Sequence, residues 1–151
     1  MAFVFRLQKV LEHRRRLEDE AKRAYIEAQA KTVQSLKDLE KLYVAIDLAR
    51  TRGHELVTGA ENRQTTPTLQ NVDVFINGQK IRIDRQRAVI RDFKAEEERL
   101  QDLLIQAARE RKTLEKLRER HLEEYRVEMA RREQAEVDDI TTMRYGRGEG
   151  P

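Results

Sequence analysis

Three histidines and one run of glutamates are the residues of this chain best suited to metal binding or proton transfer. His13, His54 and His121 are scattered along the sequence. His13 and His121 come to one level only if the chain folds back on itself, and two imidazoles fall short of a zinc ligand set. Glu96-Glu97-Glu98 fans around a helix as a solvated face, whereas an acid–base pair needs a concave pocket to hold a substrate. The chain has no cysteine, which removes thiolate ligands, thiol nucleophiles and disulfides and fits a reducing compartment. A phosphate-cradling glycine loop, a calcium loop and the Glu-x-x-His pairs of a di-iron bundle are all missing. The expectation is a protein that is not an enzyme, with no catalytic residues, no cofactor and no metal.

Composition points to elements that present surfaces. Charged residues make up 39% of the 151 positions and aromatic residues 5%, against about 25% charged in an average domain. Ala, Glu, Lys, Leu and Arg supply 79 residues, the bias of long helices and coiled coils. The 31 basic and 28 acidic residues leave a net charge of +3, a balanced mixture. Two stretches are locally basic, Arg6–Arg23 and Lys80–Arg91. Neither is the uniformly basic region of a nucleic-acid-reading zipper, so no nucleic-acid partner is expected. No apolar run reaches the ~20 residues of a membrane span, and Met1–Phe5 does not read as a secretory leader. A soluble, cytoplasmic, helical protein is expected.

Glycine and proline divide the chain. Residues 1–52 and 79–145 contain neither, and a polar, unpatterned stretch lies between them. Thr66-Pro67 reads as an N-cap followed by proline at the first helical position. The predicted elements are a helix over about 4–57, a loop over about 58–66, a helix over about 67–143 and a disordered tail over 144–151. Asn77-Gly78 lies inside the second helix and is read as a glycine tolerated there, at about 1 kcal/mol against alanine.

Both helices carry coiled-coil spacing. The first reads Phe3, Leu7, Val10, Leu17, Ala21, Ala24 and Ala28. After a one-position slip near Tyr25 it continues Leu39, Leu42, Ile46, Ala49, Gly53 and Leu56. The second alternates steps of four and three from Val72 through Ile76, Gln79, Ile83, Gln86, Ile90, Phe93, Glu97, Leu100, Leu104, Ala107 and Arg111 to Leu114. At ~1.5 Å per residue the helices reach roughly 80 and 110 Å, so the short loop folds them into an antiparallel hairpin. The fold class is all-α, a long two-helix coiled-coil hairpin forming a single domain over 1–143. Contacts join residues whose numbers add to about 125. Phe3 then meets Leu122, leaving residues 123–143 without a partner. Apolar residues outside the seam, Leu36, Tyr43, Val44, Leu48 and Phe75 near the turn and Leu103, Ile105 and Leu122 beyond it, mark surface for partners.

The ends carry a more specific pattern. Phe3-Val4-Phe5-Arg6-Leu7-Gln8-Lys9-Val10-Leu11, followed by Arg14 and an acid-rich turn, resembles the opening of FliJ-type flagellar export proteins. Leu114-Glu115-Lys116-Leu117 with Tyr125, then Glu133-Gln134 and Val137-Asp138-Asp139-Ile140, resembles the closing segment of that family, and Phe75-Ile76 with Ile83 its second-helix opening. Asn77-Gly78 departs from the pattern. The resemblance implies a coiled-coil stalk of the flagellar type III export apparatus with three partners: the hexameric export ATPase, the export-gate membrane protein and substrate chaperones. It also implies a place in the cytoplasm, held at the inner face of the membrane through that apparatus and without a span of its own. By the same resemblance Leu39, Leu42, Tyr43, Ile46 and Phe75 meet the gate, and Tyr125, Met129, Arg131, Arg132 and Ile140 meet the ATPase. The alternatives are the equivalent stalk of a virulence secretion system and a homodimeric structural coiled coil.

Overall fold

The computed structural model describes residues 2–59 and 65–148. It contains two helices, α1 over Gln8–Thr58 and α2 over Thr65–Gly148, which pack against each other antiparallel. The packing divides into two compact units. One joins the described residues before Glu20 to those after Leu104, and the other is Glu20–Leu104.

In the first unit α1 starts later than the spacing predicts. Residues 2–5 are not helical, and the Gln8 amide donates to the Phe5 carbonyl at 3.1 Å. This short arm shifts the phase of everything before Gln8. Phe5 and Leu11 are buried, at 5% and 0% exposure, whereas Leu7 and Val10 keep 37% and 42%. The expected seam through Leu7 and Val10 is replaced by one through Phe5 and Leu11: the arm puts Phe5 on it in place of Leu7, and within α1 Leu11 takes the position expected for Val10.

The slip expected near Tyr25 is also absent. One unbroken series of covered positions in α1 steps by three and four from Leu11 through Arg14, Glu18, Ala21, Tyr25, Ala28, Thr32, Ser35, Leu39, Leu42, Ile46 and Ala49 to Gly53 and Leu56, with the expected Leu17 and Ala24 half-covered beside it. The register looked broken because four of these positions are polar. Their polar groups are answered on the spot. Arg14 and Glu18 pair with Glu110 and Arg111. Thr32 donates to the Ala28 carbonyl at 3.1 Å, and the Ser35 carbonyl accepts from Gln86 at 3.0 Å.

On α2 the predicted seam is the observed one, from Val72 to Leu114. Ile83 and Ile90 are buried there against the α1 face that holds Ile46 and Ala28. Each such side chain contributes roughly 1.5–3 kcal/mol. The Gln79 Oε1 is buried with no hydrogen-bond partner among the described residues. A Cβ on Gly53 would touch Val72 at 3.6 Å, and Phe5 faces His121. These pairs have numbers adding to 125 and 126, which matches the predicted antiparallel register.

The turn lies mostly outside the described residues, as does the Thr66 side chain. The Gly59 amide closes α1 by donating to the Glu55 carbonyl at 2.9 Å. α2 begins at Thr65, so Pro67 falls in its first turn, where amides have no helical acceptor and proline is tolerated. The helix runs unbroken through Asn77-Gly78 and ends at Gly148, five residues past the predicted end. Hydroxyls of Thr141 and Thr142 donate to the Val137 and Asp138 carbonyls along that last stretch. Residues 149–151 of the predicted tail lie outside the described residues.

Candidate partner-binding surfaces

Near the turn the five residues tied to the gate by resemblance divide by exposure. Ile46 is buried, Leu39 and Leu42 are half-covered in the seam, and only Tyr43 and Phe75 are exposed. Tyr43 accepts a hydrogen bond from Arg87, whose guanidinium carbon also stands 5.8 Å from the ring centroid. Phase separates Tyr43 from Phe75. Phe75 belongs to a groove of about 460 Å³ between the helices, lined by Ala45, Leu48, Ala49, Leu56 and Val72 with Arg52 at its edge. Val44 and Leu48 extend this apolar surface around α1 between Lys37 and Lys41. The spacing already marks Val44, Leu48 and Phe75 as exposed apolar residues, and the structure adds the groove that joins Leu48 to Phe75.

At the other end the N-terminal arm grips α2. The Phe3 ring lies 5.6 Å from the Tyr125 ring and 5.9 Å from the Arg118 guanidinium carbon. Phe5 meets His121 edge-on at 5.8 Å. His121 is thus a packing partner of Phe5, while His13 is exposed. Sequence reasoning missed this clasp because it continued the helix through residues 4–7, which turns Phe5 away from α2.

Beside the clasp lies a ladder of charge. Arg111 binds Glu18 across the helices and Glu115 along its own helix, the latter at 2.6 Å. Arg15 reaches Glu115 at 3.3 Å, and Arg14 pairs with Glu110. Partial burial pushes the Glu115 carboxyl up, and hydrogen bonds and charge from Arg111 and Arg15 outweigh it, holding the group below its usual value. Hydrogen bonds that Arg111 donates to the Glu18 and Glu115 carboxylates raise it above its already high value. Among the described residues no cluster of three or more His, Asp or Glu could hold a metal ion.

The residues tied to the ATPase by resemblance also divide. Tyr125 is held by Phe3, which corrects the expectation that the unpartnered stretch starts at 123. Met129 is half-covered, and every described residue from 130 to 148 is exposed. Arg131 and Arg132 both bind Glu128 one turn back, at 3.2 and 3.1 Å, and their hydrogen bonds hold its carboxyl below the usual range. Ile140 is exposed together with Val137, Met143 and Tyr145. Tyr145 falls in the predicted tail because of the glycines after Arg144, and Met143 is the last residue of the predicted helix.

No helix among the described residues is long and apolar enough to cross a membrane. A family model described as the flagellar FliJ protein matches residues 3–150. Comparison with curated proteins and with solved structures found no match.

Proposed function

Because the chain belongs to the flagellar FliJ protein family, whose members are components of flagellar type III export, we propose that it is a non-enzymatic coiled-coil stalk of that apparatus. In this reading the free end of α2 enters the hexameric export ATPase, and the groove at Phe75 meets the membrane-embedded export gate. Substrate chaperones are bound in passing. The protein works in the cytoplasm at the inner face of the membrane.

The observation that carries the reading is the unpartnered end of α2. Nineteen residues of helix, 130–148, stand exposed. Isolated helices of that length are marginal in water, and tertiary contact normally supplies their stability. Val137, Ile140 and Met143 give this stretch an apolar stripe, and Arg131 and Arg132 give it charge that acidic loops can pair with.

The test is a chain truncated after residue 129. It should keep the helicity and melting of the paired regions, yet lose binding to the ATPase ring and stimulation of its assembly. The companion Phe75→Ala variant should bind the ring normally and lose the gate. Undiminished ring affinity after truncation would place the ATPase contact elsewhere.

A further inference from the structure

α2 carries a second, largely apolar stripe that stays exposed beside its seam. Val74, Gly78, Ile81, Arg85 and Val89 recur at steps of four and three, one or two positions ahead of the seam residues Ile76, Gln79, Ile83, Gln86 and Ile90. All five are exposed, Val74 and Ile81 by more than half. A Cβ on Gly78 would meet nothing within 4 Å, so the chain's own packing does not call for glycine there. Charge on this stretch is also unanswered. Among the described residues, Lys80, Arg82, Arg85 and Arg91 make no ion pair.

The end of α2 is its complement. Glu133, Glu136 and Asp139 make no ion pair among the described residues, and from Glu133 to Met143 the helix carries four acids and no base. Laid antiparallel on the second stripe, this end matches it at four positions in one register, while Val74 and Val89 at the stripe's ends fall opposite Arg147 and Arg132. Arg85 meets Glu136, Arg82 meets Asp139, Ile81 meets Ile140, and the long Met143 side chain covers bare Gly78. Acid opposes base, apolar opposes apolar, and a large side chain fills the space a glycine leaves, as an antiparallel coiled coil requires.

We propose that the acidic end of α2 docks on the Val74–Val89 face of α2 in a second copy of this chain. The occupant is another copy for a geometric reason. Both stripes lie on one unbroken helix, so a single chain cannot bring them together. The inference does not need the ATPase reading. Under that reading, self-association would cover the end that enters the ring, and the chain alone suffices to test it.

Sedimentation equilibrium of the full chain at low salt should show reversible association in the micromolar to millimolar range, weakening as salt screens the charges. Arg82→Glu with Arg85→Glu in one variant, and Glu136→Lys with Asp139→Lys in another, should each weaken association at least about tenfold, since every attraction becomes a repulsion. An equimolar mixture of the two variants should restore it, because every pair is then complementary again. Gly78→Leu should also weaken association while raising the melting temperature, since its side chain blocks Met143 and meets open space in the chain itself. A wild-type chain that stays monomeric throughout overturns the proposal. So do charge variants that associate like wild type, a mixture that restores nothing, and a Gly78→Leu chain that associates unchanged.

Discussion

Phe5 and Leu11 are covered by α2, whereas Leu7 and Val10, closer to each other in hydropathy pattern, face water. For Phe5 and Leu7 the difference comes from residues 2–7, which precede α1. Had the helix begun at residue 4, Leu7 would lie on the seam one turn before Leu11, whereas Val10 precedes Leu11 by one position and stays beside the seam either way. The arm instead swings Phe5 onto His121 and Phe3 onto Tyr125 and Arg118. Phe5→Ala should therefore cost about 3 kcal/mol, the usual loss for a buried aromatic. Leu7→Ala and Val10→Ala should each stay within about 0.5 kcal/mol, as exposed positions do. Urea midpoints of the three variants measure this, and a Leu7→Ala loss matching that of Phe5→Ala would restore the helical reading of residues 4–7. Nothing in the amino-acid types at 2–5 announces the arm. Its existence depends on the aromatic and guanidinium surface that α2 offers more than a hundred residues later.

The two helices differ in how far their seams can be read from sequence, and the cause is chemical. On α2 the seam is marked by Ile, Leu, Val and Phe at unbroken four–three steps, and its glutamines do not disturb the count. On α1 the seam passes through Arg14, Glu18, Thr32 and Ser35, while Val33, Leu36 and Val44 lie outside it. Hydropathy there points away from the true face, and a spurious slip results. Cross-helix pairing explains Arg14 and Glu18 and is invisible in either helix alone, while Thr32 is answered within α1 by the Ala28 carbonyl. Gly53 shows the same dependence. It occupies a seam position in the middle of a helical turn, where glycine costs about 1 kcal/mol against alanine. An added Cβ would meet Val72 at 3.6 Å and Leu69 at 3.8 Å, ordinary van der Waals contact. Gly53→Ala should accordingly raise stability by about 1 kcal/mol, read as an increase in melting temperature. A decrease would mean that α2 approaches more closely than these contacts allow.

Across the molecule the two units are held by different chemistry, which predicts that acid acts on them unequally. Glu20–Leu104 is built on apolar contacts of Ala28, Ile46, Ile83 and Ile90. Its perturbed carboxylate, Glu96, sits exposed on the surface beside Arg99 of the same helix, a kind of pair that contributes little. The other unit adds to buried Phe5 and Leu11 a set of charges between the helices, with Arg111 joining Glu18 to Glu115 and Arg15 completing the set. Because the Glu115 carboxyl is held below its ordinary value of 4.5 in the folded chain, its contribution is fully present above the unfolded value. It is lost as the pH falls through the lower, folded one. Arg111 stays charged throughout, so protonation of Glu115 removes that attraction and leaves a largely covered cation with one counterion fewer. Hydrogen-exchange protection, corrected for the intrinsic pH dependence of exchange, should therefore fall first in residues 11–19 and 105–118 as the pH drops from neutral to about 3.5. Residues 28–49 and 76–93 should keep most of their protection over the same range. Arg111→Met should flatten the acid response of the first pair of segments, since the charge that acid disrupts is already gone. Protection that declines in step along the whole chain, or an Arg111→Met variant with the wild-type acid response, would show that the charge ladder does not hold the two helices together there.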